Sequence, residues 1–300
     1  MTASTSRTMW QQYEPIHDLT YFAPEPQRVA ADLGLRGFWM AYFAMRAAPL
    51  GGIGPEPVGA IFFGFHRRRV HRALPDAWSY ASPEDVLDAR LRGVDLALRA
   101  VLGDTSIASP QMSEAADLAW LAAQATDTAG RPLAAANKAL PRPAQPHLAL
   151  WQATTVLREH RGDGHHAILV ARGWSPARAH LMKVAAGETD EAMLRAARGF
   201  ETQEWDEARQ ALIAAKWLTV DGDLTEAAAV EHAIIERLTD SRSEAPWEAL
   251  GAARSQRLLE LIRPVTRAIA RTGLIPALNP VGHVRSNAPG EVETMTDDLP

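Results

Sequence analysis

The stretch that decides the fold is Ala208-Arg209-Gln210-Ala211-Leu212-Ile213-Ala214-Ala215-Lys216-Trp217, followed by Leu218-Thr219-Val220-Asp221-Gly222-Asp223-Leu224-Thr225. In the first run apolar residues recur at helical spacing. Asp221-Gly222 between Leu218-Thr219-Val220 and Leu224 is a tight-turn signal and predicts a very short β-hairpin. Thr225 before Glu226 is a helix cap, and the helix it opens ends Ala233-Ile234-Ile235-Glu236-Arg237-Leu238. The segment therefore reads as helix, hairpin, helix.

The same order recurs upstream. Val70-His71-Arg72-Ala73-Leu74-Pro75-Asp76-Ala77-Trp78 leads through a turn to the Ser82 cap and a helix ending Val94-Asp95-Leu96-Ala97-Leu98-Arg99-Ala100. Before it, Gly37-Phe38-Trp39-Met40-Ala41-Tyr42-Phe43-Ala44 matches Gly164-His165-His166-Ala167-Ile168-Leu169-Val170-Ala171. The halves read as diverged copies, each of the helix-helix-helix-hairpin-helix order of a winged helix-turn-helix. The expected fold is mainly α with short β-hairpin wings. Ser82-Pro83-Glu84-Asp85, Ser175-Pro176 and Thr202 mark further helix starts. Leu140-Pro141-Arg142-Pro143-Ala144-Gln145-Pro146 reads as an extended linker. This divides the chain into a first copy over 1–140, a second over 147–275, and a surface arm or disordered tail over 276–300.

Composition narrows the function. In 300 residues, 47% are hydrophobic and 22% charged, as in globular proteins. The chain has no cysteine, which excludes disulfides, thiolate ligands and cysteine nucleophiles, and suits a reducing cytoplasm. The start, MTASTSRTMWQQYEP, has no apolar signal core, and no apolar run approaches a membrane span, so no membrane partner is expected. The net charge of −5 disfavours DNA unless a local basic patch carries the contact.

Phe200-Glu201-Thr202-Gln203-Glu204-Trp205 through Leu218, with Asp221 to Thr225 and Glu231 to Asp240, resembles the winged-helix domain of MarR-type regulators. Nearly the whole chain resembles an actinobacterial family of helix-turn-helix proteins. The resemblance is carried by Ala73-Leu74-Pro75-Asp76-Ala77-Trp78, Arg158-Glu159-His160-Arg161-Gly162-Asp163-Gly164-His165 and Pro246-Trp247. It implies winged-helix architecture and, more weakly, DNA binding, because the fold is reused for other tasks.

The densest chemistry lies in Leu157-Arg158-Glu159-His160-Arg161-Gly162-Asp163-Gly164-His165-His166, between two apolar runs. Partial burial there shifts imidazole and carboxylate pKa values toward neutrality. Gly162 and Gly164 predict a sharp turn, with Asp163 or Gly164 capping the next helix and His165 and His166 in its first turn. In a metal-free pocket, His160 or His165 exchanges a proton, Asp163 or Glu159 orients it, and Arg158 or Arg161 holds an anionic group. One alternative is zinc or iron on His160, Asp163 and His165. Another is a structural junction in which Asp163 caps and His160 bonds a carbonyl.

The first copy adds His17 and Tyr21, one turn apart if Pro15 opens a helix, together with Trp39, Tyr42 and His66. These would face the same cavity, or else form an aromatic core. Arg67 with His71, and Arg68 with Arg72, stack at i, i+4 and could contact DNA phosphates. The alternatives for them are an anionic ligand, a solvated face, or salt bridges to the acidic second half. In that half Glu201, Glu204, Asp206 and Glu207 oppose DNA docking. The favoured reading is a small-molecule-binding protein with metal-independent acid–base catalysis as its extension and no cofactor. Its site lies between the halves, and the chain pairs as a homodimer. The competing reading is a MarR-like transcriptional regulator that senses a small effector.

Overall fold

The computed structural model describes residues 4–277 and 279–281. Among them sixteen α-helices follow one another. The first half contains α1 (Thr5–Phe22), α2 (Pro24–Asp32), α3 (Gly37–Ala47), α4 (Pro55–Ile61), α5 (Arg67–His71), α6 (Ala77–Tyr80), α7 (Pro83–Ile107), α8 (Pro110–Gln124) and α9 (Pro132–Lys138). The second contains α10 (Pro146–Ala171), α11 (Pro176–Ala185), α12 (Glu191–Arg198), α13 (Thr202–Ala214), α14 (Glu226–Ser241), α15 (Ala245–Leu250) and α16 (Ala252–Arg271).

Local signals place many of these ends. Ser82 and Asp85 form a reciprocal capping box at α7, and the Thr225 hydroxyl accepts from the Ala228 amide at α14. At α13 the cap falls one residue before Thr202, on Glu201, which shares a capping box with Glu204. Prolines occupy the first turns of α2, α4, α7, α8, α9, α10 and α11, where their missing N–H costs nothing.

Helix α10 is the axis of the molecule. It is apolar around most of its circumference through Leu157, which makes it a core helix rather than a surface one. It packs against α1, α7, α8, α9 and α14. Trp151 is fully buried, and its indole N–H donates to Thr20 Oγ1 at 2.9 Å. One hydrophobic cluster joins α1, α7, α8, α10, α15 and α16, a second lies under α3 to α7, and a third gathers α11 to α14 at the far end of α10.

Two expectations are corrected here. No β-strand exists among the described residues, so the β-hairpin wings are absent and the fold is mainly α without the sheet of a winged helix. Where a wing was expected, a lone antiparallel bridge joins Leu218 to Leu224, with the Thr219 amide donating to the Asp223 carbonyl at 2.9 Å. Five residues between the bridged positions leave no length for further pairs, and Val220 at the tip is 83% exposed with nothing to cover a sheet face. In the first half the equivalent stretch forms α6 instead.

The expected turn at Gly162–Gly164 is also absent, since α10 runs through it. Glycine inside a helix costs about 1 kcal/mol relative to alanine. At Gly164 the missing side chain makes room for Arg131, because a Cβ there would lie 2.6 Å from its Nη1. Arg131 uses that approach to donate to the His160 carbonyl.

Gly93 shows the same logic against a rigid neighbour: a Cβ there would sit 2.5 Å from Pro26 Cα, where α2 crosses α7. Gly93→Ala should lower unfolding stability by about 1–3 kcal/mol, read as a lower urea midpoint at constant m-value; an unchanged midpoint would contradict this close crossing.

Candidate functional site

In a continuous helix, residues 158, 161, 162, 165, 166 and 169 share one face and residues 160 and 163 lie on the other. The structure divides the chemical run of α10 this way. Arg158, Arg161, His165 and His166 line a cavity of about 320 Å³, while His160 and Asp163 turn toward α9. The other walls come from Arg7, Trp10 and Glu14 of α1, Arg46 of α3, Phe62 to Phe65, Lys183 of α11 and Arg198 of α12. His232, Ile235, Glu236 and Thr239 of α14 close one side, and Pro280 with Val281 lie at the rim.

A buried ionic network forms the floor. Glu159, 1% exposed, takes two bonds from Arg46 at 3.0 Å each and one from Arg158 at 3.0 Å. Arg158 also reaches Glu14 at 3.2 Å. Burial pushes the Glu159 carboxyl up, but Arg46 and Arg158 outweigh it and hold the group below the usual carboxylate range. Glu159 therefore stays charged behind the wall and orients the two guanidinium groups. Arg161 pairs with Asp240 at 2.8 Å and stacks over Trp10 at 4.9 Å, and its shielded Nη1 has no partner.

His165 can be assigned a tautomer. Its Nδ1 lies 2.9 Å from Thr239 Oγ1, and that hydroxyl gives its only proton to the Ile235 carbonyl at 2.9 Å. Nδ1 must then carry the proton, which leaves Nε2 as a bare acceptor on the cavity side of α10. Burial lowers the His165 pKa to about 4 and lowers His166 as well, so both rings are neutral at pH 7. His180 is lowered to about 3 by burial and then by Arg198, and its Nε2 donates to the Gly64 carbonyl at 2.7 Å.

The remaining expected residues lie elsewhere. His17, Tyr21, Tyr42 and Trp39 do come together, with ring centroids 5.3, 4.7 and 5.7 Å apart in succession, but as an aromatic cluster behind Arg46 in which His17 and Tyr21 are buried and Tyr42 and Trp39 half-buried. Pro15 lies inside α1 rather than at its start. His66 caps α5 and contacts Glu204 at 3.0 Å, outside the cavity. His160, lowered to about 4 by burial and then by Arg131, bonds the Asp127 backbone. Asp163 accepts from the Leu133 and Ala134 amides at 2.9 and 3.0 Å, capping α9 rather than a helix of its own segment. His160, Asp163 and His165 thus do not converge, and no three His, Asp or Glu side chains among the described residues are placed to hold a metal.

The basic run is engaged within the chain. Arg67 pairs with Glu56 at 2.7 Å, His71 approaches the same carboxylate at 3.3 Å, and Arg68 bonds both Glu201 and Glu204. Arg72 is exposed. The sequence reading missed Glu14, Arg46, Lys183, Arg198 and Glu236. Arg46 had a signal: it is the one charge in the apolar helix Gly37–Ala47, and such a residue is seldom buried without a partner.

Helices α12 and α13, joined by the three residues Gly199, Phe200 and Glu201 with Gly199 at φ 82°, form a helix-turn-helix, and α11 packs against both. A model described as a helix-turn-helix family matches residues 6–276, and the chain belongs to that family. No curated protein and no solved structure matched the chain. No described helix is long and apolar enough to cross a membrane.

Asp163 gives a pH test. Burial and then Glu159 raise its pKa from 3.8 to about 7, so the folded state holds a proton that the unfolded state releases, and this contribution to stability fades as pH rises from about 4 through 7. Asp163→Asn keeps an acceptor for both amides without the charge. Its unfolding free energy should gain steadily on the parent's between pH 4 and 8; a pH-independent difference in denaturant titrations would show that Asp163 does not titrate in this window.

Proposed function

We propose that this helix-turn-helix protein binds a small organic anion with a flat apolar body in the cavity beside α10, as a ligand-responsive regulator. The observation that carries the reading is the composition of the wall: six cationic side chains against three carboxylates, with Trp10, Phe62, Phe63, Phe65 and Trp174 between them. A concave site of this size, with an apolar body and a few convergent polar groups, suits a small ligand. The bare Nε2 of His165 accepts a hydrogen bond from a ligand hydroxyl or amine. A catalytic use of the cavity would rest on the neutral imidazoles of His165 and His166, because Glu159, His160 and Asp163 lie behind or opposite the wall.

Family membership supports DNA binding as the output. The exposed edge of α13 carries Asp206 and Glu207, which repel phosphate, between the neutral Gln203 and Gln210. The surface better suited is α16, where Arg263, Arg267 and Arg271 are exposed at one-turn intervals, and none of them pairs with a carboxylate among the described residues. Phosphate contacts of this kind position a protein on a duplex without reading its sequence.

Two experiments separate ligand from output. His165→Phe puts a ring into the cavity, and should abolish binding of indole-3-acetate in calorimetry while leaving the near-ultraviolet circular dichroism unchanged; undiminished binding would exclude the cavity. Affinity for a random duplex should fall steeply between 50 and 200 mM salt, and the double variant Arg263→Glu, Arg267→Glu should lose it. Absent or salt-independent affinity would remove the DNA output and leave the ligand reading standing.

A further inference from the structure

Four of the six cations on the cavity wall have a carboxylate within 3.2 Å: Arg7, Arg46, Arg158 and Arg161. Lys183 and Arg198 do not. The nearest carboxylate to Lys183 is Glu188 at 3.9 Å, and the other oxygen of Glu188 is taken by His232 at 3.0 Å. Arg198 makes no ion pair among the described residues; it stacks over Phe65 at 4.5 Å, and its shielded Nε has no partner. Both charges are partly removed from water, Lys183 with only the distant, shared Glu188 and Arg198 with no carboxylate among the described residues, an arrangement that costs free energy.

Main-chain carbonyls stand in that place. Lys183 Nζ donates to the Val281 carbonyl at 3.0 Å, and an Arg198 Nη donates to the Pro280 carbonyl at 2.6 Å. Thr189 Oγ1 adds a third bond, to the Asn279 carbonyl at 3.1 Å. A carbonyl supplies a dipole, not a charge, and burial still pulls the Lys183 pKa down and that of Arg198 to about 10. An ionised oxygen in the same position makes a charge-assisted bond roughly twice as strong as the neutral one it replaces.

We propose that Lys183 and Arg198 form an oxyanion subsite of the cavity, that its natural occupant is the carboxylate or phosphate group of the ligand, and that the ligand displaces the 279–281 segment, whose carbonyls occupy these donors here. The inference rests on the cavity reading above and gives it a ligand class and a position. Phe65, under the Arg198 guanidinium, and the neighbouring Phe62 and Phe63 supply the apolar surface for the body of the ligand. The segment acts as an internal competitor. Ligand affinity is reduced by the free energy of the bonds that Lys183, Thr189 and Arg198 make to the segment, and loosening the segment raises affinity.

The test uses the full-length chain with three probes of one shape: benzoate, phenyl phosphate and the neutral benzamide. In calorimetry, Arg198→Gln and Lys183→Gln should each weaken benzoate or phenyl phosphate at least about tenfold and leave benzamide unchanged. Thr189→Val should strengthen the anions. Hydrogen exchange of the unmodified protein provides a readout that needs no variant: the amides of Asn279 and Val281 should exchange faster when the anion is bound. The stronger of the two anions assigns the group as carboxylate or phosphoryl. Equal anion affinity in parent and both glutamine variants, with exchange at 279–281 unchanged, would overturn the subsite and leave the cavity reading intact. If none of the three probes binds the parent, both fall.

Discussion

One buried carboxylate organises this molecule. Glu159, inside α10, is gripped by Arg46 from α3 and by Arg158 from its own helix, and Arg158 reaches Glu14 on α1. Three helices are tied through charges that have left water, so each partner needs the others: removing one partner of such a buried pair typically costs about 3–5 kcal/mol. The network also decides what faces the cavity. With Glu159 held behind the wall, the guanidinium groups of Arg46 and Arg158 stay fixed and charged at its floor. The neighbouring positions of α10, Arg161, His165 and His166, complete that face.

The second constraint is the continuity of α10. Because the helix does not break at Gly162 or Gly164, residues two apart in sequence separate onto opposite faces. His165 looks into the cavity, and Asp163 caps α9 on the other side. A cluster that reads as one site in sequence is thereby two structures, a cavity wall and a helix junction. The helix-turn-helix of α12 and α13 sits beyond the far end of the same axis, and Arg198, the last residue of α12, reaches back to the cavity. That link joins the α12–α13 turn to the wall of the proposed ligand site.

Much of the helical framework was legible in sequence, because caps are local. Ser82 with Asp85 and Thr225 mark their helices through bonds made within three residues. The wing was misread for the opposite reason. Asp221-Gly222 does make a turn, but a sheet also needs strand length and a covered face, and the flanking residues provide neither. The glycines of α10 were misread because their cause is distant: Arg131, more than thirty residues away, fills the space beside Gly164. Arg158, Arg161 and His165 were placed at the site by their density in one segment. Lys183 and Arg198 left no such signal, since each is one of two cations on a short helix, beside Arg178 and Arg195 respectively, and acquires meaning only from how weakly its charge is paired in the fold.

The central claim is that the cavity beside α10 is an anion site with its charged end at Lys183 and Arg198. Crystals soaked in 4-bromobenzoate test it most directly, because bromine can be located by anomalous scattering independently of any interpretation of the protein density. The account predicts a bromine peak inside the cavity near Phe62 and Phe63, with the carboxylate between Lys183 and Arg198 and the 279–281 carbonyls moved away. Bromine confined to the outer surface, with those carbonyls still on Lys183 and Arg198, would contradict it.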